Sequence, residues 1–203
     1  MTTRNVVAVA GLAMVAGGAI GCTPSKAAEP PVVKSSHAAT RILNQGPTNG
    51  CSGFSVAGLL GKSNKDGLRI YALATKLDNL PGSYATHDDR GSRISDALTA
   101  AKQLHYISGF KTIKSANVAI ATGKSRRLIV SLWDWPDAGE GHAMILLSIR
   151  GGVAKFQSSW GTARPEDFSS FEGVLAWDRG TLTMPVSEVR KRFLDAATVN
   201  GVS

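Results

Sequence analysis

The run Asn44-Gln45-Gly46-Pro47-Thr48-Asn49-Gly50-Cys51-Ser52-Gly53-Phe54-Ser55-Val56-Ala57-Gly58-Leu59-Leu60-Gly61 joins a loop rich in Gly, Pro and Asn to an apolar segment, with a cysteine at the junction. Gly and Pro interrupt regular structure before Cys51, whereas Phe54, Ala57 and Leu60 recur at helical spacing up to Gly61. This predicts a short, largely buried helix beginning at Cys51 and closed by Gly61. A thiol at that position faces unpaired backbone N–H groups and the positive end of the helix dipole, which favour the thiolate, the nucleophilic form.

Further along the chain, Asp66 to Lys76 carries Leu68, Tyr71, Ala72 and Thr75 on one helical face. Ile94 to His105 carries Ile94, Ala97, Leu98, Ala101 and Leu104, with Ser92 or Ser95 available as a cap. Ser115 to Thr122 reads as a fourth helix stopped by Gly123. The N-terminal half is therefore expected to be helical. From Arg127 the pattern changes: 128–133, 143–149, 153–160 and 173–177 read as strands between Gly, Pro or Asp turns, and a last helix is expected over Val186 to Leu194. Helices first and strands later is the signature of an α+β fold, with a cleft between a helical and a β lobe as the natural site.

The chain has only two cysteines, Cys22 and Cys51. Met1 to Cys22 has one cation, Arg4, then an apolar run ending in Ala19-Ile20-Gly21-Cys22, the layout of a bacterial export signal. Its end is similar to a lipobox, in which Cys22 would be lipidated and anchor the protein to a membrane, although Ala19 replaces the usual larger aliphatic residue. Cleavage after Ser25-Lys26-Ala27 is an alternative. So is an uncleaved anchor, although the apolar run is shorter than the ~20 residues of a membrane span. Each reading puts the remainder outside the cytoplasm. Residues 23–40, rich in Ala, Pro, Ser and Lys, read as a flexible linker, leaving 41–203 as one domain. With Cys22 lipidated or removed, Cys51 is an odd cysteine in an oxidising compartment. A Cys22–Cys51 disulfide and a buried inert thiol are the structural alternatives to a reactive one.

The net charge of +8 is spread widely, with Lys124-Ser125-Arg126-Arg127 and Arg190-Lys191-Arg192 as the dense cationic runs. Neither is interleaved with aromatic residues, so they read as solvated faces. Nucleic acid is not expected as a partner, while attraction to an anionic envelope or lipid surface is compatible with the charge.

A cysteine nucleophile needs an imidazole, and His142 is the candidate. It opens the apolar strand Ala143-Met144-Ile145-Leu146-Leu147 after the turn Ala138-Gly139-Glu140-Gly141, a place where a histidine is more often structural. Gln45 stands six residues before Cys51, and Ser158-Ser159-Trp160-Gly161-Thr162 begins 16 residues after His142. In these three motifs, and in their order, the chain resembles the papain family of cysteine peptidases over roughly 41–194. That family has a glutamine six residues before its nucleophile, a His-Ala pair opening a strand, and an Asn-Ser-Trp-Gly-Thr run at the same distance from the histidine. The resemblance implies a papain-like two-lobe fold, with Cys51 attacking a peptide carbonyl and His142 forming the ion pair and protonating the leaving amine. Gln45 and the Cys51 backbone N–H would stabilise the oxyanion, and Trp160 would shield the histidine's hydrogen bond from water.

The chain departs from the family in four places. Ser158 stands where the orienting asparagine belongs, and its hydroxyl, on a shorter arm, is expected to accept from His142 Nδ1–H; Gln157 would reach only with a shifted strand register. Ser52 replaces a tryptophan after the nucleophile, and Thr48 replaces a disulfide cysteine. The 91 residues from Cys51 to His142 fall short of the roughly 130 of papain-like enzymes, so the helical lobe is trimmed.

Acidic pairs at Asp88-Asp89 and Glu166-Asp167, and His37, His87 and His105, lack calcium-loop or zinc spacing, so neither metal nor cofactor is expected. Three functions compete. A peptidase acting as a monomer on a protein or peptide is the leading expectation. A different acyl transfer or isopeptide cleavage by the same Cys51 and His142 is the second, and a catalytically impaired binding module, motivated by Ser158, the third.

Overall fold

The computed structural model describes residues 40–77, 91–133, 141–162 and 173–202. The expected export segment 1–22, and the linker 23–40 apart from Thr40, lie outside the described residues. Helix α1 (Cys51–Leu59) is buried along its whole length, as a helix that is apolar on every side must be. It ends as expected at Gly61, which takes a φ of +68°. Lys62 N–H then donates to Ala57 O and Gly61 N–H to Gly58 O, the paired bonds that satisfy the last carbonyls of a helix.

Helix α2 (Asn64–Leu77) starts from a reciprocal cap. Ser63 N–H donates to the Asp66 carboxylate, and Asp66 N–H donates back to Ser63 Oγ. It crosses α1 at Gly53, where an added Cβ would stand 2.7 Å from Tyr71 N and 2.9 Å from Gly67 O, so the two backbones are in contact. Helix α3 (Ile94–Gln103) buries Ile94, Ala97, Leu98 and Ala101, the face that periodicity predicts. It stops two residues short of His105, which turns the chain with a φ of +59°.

The helical first half is interrupted by strand β1 (Ile107–Ile113), which the sequence did not signal. Its apolar ends flank exposed or half-exposed residues, as suits a sheet edge. Helix α4 (Ala116–Gly123) is capped by Ser115 Oγ, which accepts from Val118 N–H, and Gly123 lies inside it rather than after it. Strands β2 (Leu128–Trp133), β3 (Gly141–Arg150), β4 (Val153–Gln157), β5 (Ala176–Asp178) and β6 (Thr181–Pro185) follow. β4 ends three residues earlier than expected, the strand expected over 173–177 starts only at Ala176, and β6, which pairs with it, was not signalled by the sequence. Helix α5 (Val186–Arg192) ends before Phe193. Phe193 and Leu194, expected on that helix, begin strand β7 (Phe193–Val202). The chain changes conformation there because 196–199, Ala-Ala-Thr-Val, fill a slot between two other strands.

The seven strands described form one antiparallel sheet in the order β1-β7-β2-β3-β4-β6-β5. Alternate residues serve two cores. Ile129, Ala143, Ile145, Ala197 and Val199 pack against α1, α2 and α3. Leu128, Val130, Met144, Leu146 and Phe156 pack with Ile120 of α4 and Val189 of α5 on the other face. Five helices and an antiparallel sheet give the expected α+β fold. Its geometry brings the start of α1 against the start of β3.

Candidate active site

Cys51 is the first residue of α1, preceded by Gly50, and its first turn holds no acidic side chain that would oppose a thiolate. It is buried, and the disulfide alternative, which needs Cys22, falls outside the described residues. The Cys51 sulfur accepts the backbone N–H of Ala143 at 3.5 Å, and Ala143 adjoins His142 in β3. The two ends of the predicted constellation, 91 residues apart in sequence, are therefore brought together.

His142 is only 3 % exposed. Its ring stacks on Trp160, centroids 4.0 Å apart and planes 19° from parallel. Nε2, not the expected Nδ1, meets Ser158 Oγ at 3.2 Å. Ser158 Oγ also accepts from Trp160 N–H at 3.3 Å, and Ser158 is itself 1 % exposed. Burial disfavours the charged imidazolium and pushes the His142 pKa down from 6.5 to about 3. Gln157 pairs with Ile145, beyond a register shift of β3 against β4 between Leu146 and Ser148, and donates its amide to Arg41 O at 2.7 Å rather than to the histidine.

Gln45 lies in the turn that precedes α1. Its backbone N–H donates to Ser159 O at 2.8 Å, and its side-chain oxygen accepts from Ser159 Oγ at 2.5 Å. Neighbouring residues of an extended chain face opposite ways, so Ser158 serves the histidine and Ser159 the glutamine. The Gln45 amide nitrogen donates one hydrogen to Thr48 O at 2.6 Å, which leaves its second hydrogen for another acceptor. Thr48, at the position where papain-like enzymes hold a disulfide cysteine, closes the turn instead with its hydroxyl on Gln45 O at 2.8 Å. Ser52, in place of the tryptophan, is fully buried and shares a 2.6 Å hydrogen bond with Ser92 ahead of α3.

All four residues selected from sequence, Gln45, Cys51, His142 and Ser158, thus surround the meeting point of α1 and β3. Sequence reasoning passed over Ser55 and Ser159. Ser55, one helical turn after Cys51, donates to Ala143 O at 2.8 Å, and its spacing of four from Cys51 is the signal that points to it. Ser159 carried no signal beyond its neighbour.

No protein-family model and no curated protein sequence matches the chain. Solved structures do. A double glycine motif protease from an AMS/PCAT transporter, in complex with the leader peptide, superposes with a TM-score of 0.51 at 14% identity, covering 84% of this chain and 97% of that one. The Carica candamarcensis cysteine protease in complex with E-64 gives 0.50 at 13% identity, covering 82% and 95%. The fold is that of the papain-like cysteine proteases.

Proposed function

We propose that the chain is a cysteine peptidase that hydrolyses peptide bonds through Cys51. The observation that carries this reading is the contact of Cys51 Sγ with the backbone beside His142, whose Nε2 is engaged by Ser158. In the tautomer with Nε2 protonated, Ser158 Oγ accepts from Nε2–H as well as from Trp160 N–H, and Nδ1 is then the ring's acceptor for the thiol proton. Burial alone opposes the resulting imidazolium. The thiolate beside it and the dipole of α1 favour the charge separation.

The thiolate attacks the substrate carbonyl carbon, a C–S bond forms, and the carbonyl π electrons move to oxygen. Gln45's second amide hydrogen and the Cys51 backbone N–H receive that oxyanion. As it collapses, the C–N bond breaks and His142 gives its proton to the departing amine. Water, deprotonated by His142, then attacks the thioester and releases the acid and the Cys51 thiol. Export directed by residues 1–22, with attachment through Cys22, belongs to the same proposal.

Iodoacetamide labelling of Cys51 across pH, with a peptide library assayed beside it, tests this. Labelling that is rapid near pH 6, and peptide cleavage lost in Cys51→Ala, are expected. Labelling that rises only above about pH 8, as for an ordinary thiol, would overturn the proposal in favour of a binding module. Rapid labelling without cleavage of any peptide favours acyl transfer to another acceptor.

A further inference from the structure

In an antiparallel strand the N–H and C=O of one residue point to the same edge. On β3 that edge is paired with β4 as far as Ile145 opposite Gln157. The next pair in register would set Ala143 against Ser159, but the Ser159 carbonyl is taken by Gln45 N–H, and the strand partner is missing. Helix α1 fills the gap. Cys51 Sγ takes the Ala143 N–H, and Ser55 Oγ donates to the Ala143 C=O. Cys51 and Ser55 are four residues apart and so lie on one helix face. Two side chains of the nucleophile's own helix thereby grip a single peptide residue, next to the histidine. Ser55 and Ala143 are both 2 % exposed, so no water stands ready to replace either bond.

We propose that Ser55 is a positioning residue for Cys51: by holding the Ala143 carbonyl it keeps the Ala143 N–H aimed at the sulfur, where it stabilises the thiolate. This rests on the reading of Cys51 as nucleophile. A hydrogen bond to sulfur at 3.5 Å is slack for a neutral thiol and tightens as the acceptor becomes an anion. It therefore favours the charged form selectively, and it offsets part of the cost that burial imposes on the ion pair. Without Ser55 the Ala143 carbonyl is a buried acceptor with no donor. The start of β3 then relaxes away from α1, carrying both the N–H and His142 with it.

The test compares alkylation of Cys51 against pH in wild type, Ser55→Ala and Thr75→Ala. Thr75 is equally buried and donates to Ala72 O within α2, so its loss removes a comparable hydrogen bond away from the site. Ser55→Ala is expected to raise the labelling midpoint by about one pH unit and to lower kcat roughly tenfold with little change in KM. Thr75→Ala is expected to lower stability and leave the midpoint in place. Should Ser55→Ala not fold, Ser55→Cys keeps the size with a weak S–H donor; its Cys51 midpoint, read from fragment ions that separate residue 51 from 55, shifts upward by a smaller step. A low wild-type midpoint that neither Ser55 variant moves overturns the positioning role while leaving the nucleophile intact. A wild-type midpoint near 8.5, the ordinary thiol value, overturns the reading on which it rests.

Discussion

Ser158 replaces an amide that reaches further and holds a histidine more firmly. Its hydroxyl meets His142 Nε2 at 3.2 Å, a long neutral hydrogen bond. Such a bond is worth about 0.5–1.5 kcal/mol, so Ser158→Ala is expected to lower kcat by roughly 2- to 12-fold. That is far below the ~10⁴ lost when a buried carboxylate partner is neutralised in a serine protease. Ser158→Asn is expected to leave kcat unchanged or raise it, and a large loss on steady-state assay would show that the short arm is required. Gln45 with Cys51, six residues apart, and His142 with Ser158, 16 apart, were legible because each pair keeps the family's short spacing, although the stretch between the pairs is shortened. The ring nitrogen that faces Ser158 was not legible, since it depends on the side-chain rotamer His142 takes in the fold. Ser55 and Ser159 were equally silent: a buried serine shows its partner only once the fold has delivered a carbonyl or an amide to it.

At the scale of elements, the site depends on α1 lying flush between α2 and the sheet. Gly53→Ala would place a methyl group 2.7 Å from the Tyr71 backbone nitrogen, and backbone cannot swing aside as a side chain can. The helices must separate, at a cost of about 1–3 kcal/mol, seen as a lower urea midpoint. Gly109→Ala in β1, where nothing lies within 4 Å, is expected to be neutral or slightly stabilising in the same measurement. The four early helices were readable in position because each has a periodic apolar face or a clear stop, but the face expected of α2 was wrong in part: Leu68 and Ala72 are exposed, and Ile70 and Ala74 are buried beside Tyr71 and Thr75. β1 was not, because only its end residues, Ile107 and Ile113, are buried. β7 was missed for a different reason: α5 passes into it at Phe193 with no glycine or proline to mark the change.

For the whole molecule, the histidine buried at the heart of the site has an acid cost. Between pH 6.5 and about 3 the unfolded chain holds a proton on both Cys51 and His142, whereas the folded pair, as thiol and imidazole or as thiolate and imidazolium, holds one. Stability therefore falls as pH drops through that window. Asp66 adds to the loss at lower pH. Its carboxylate, held by Ser63 and Tyr106 with a pKa of about 2 against 3.8, is stabilising above the higher value, and that contribution disappears as pH falls toward the lower one. Thermal melts are expected to show Tm declining from neutral pH toward pH 4, with the decline shallower in His142→Gln. An equal slope in that variant would place the acid sensitivity elsewhere. The sheet order carries a consequence for biosynthesis. β1 is an edge strand whose neighbour is β7, and β2 has β7 on one side. While the chain emerges from the ribosome, β1 and one edge of β2 wait for β7 to be made. Cys51 and His142 are synthesised long before that moment, yet the platform that holds them cannot close until residues 193–202 have left the exit tunnel. A nascent chain therefore carries the reactive groups without their assembled setting, and its exposed strand edges need shielding until β7 has emerged.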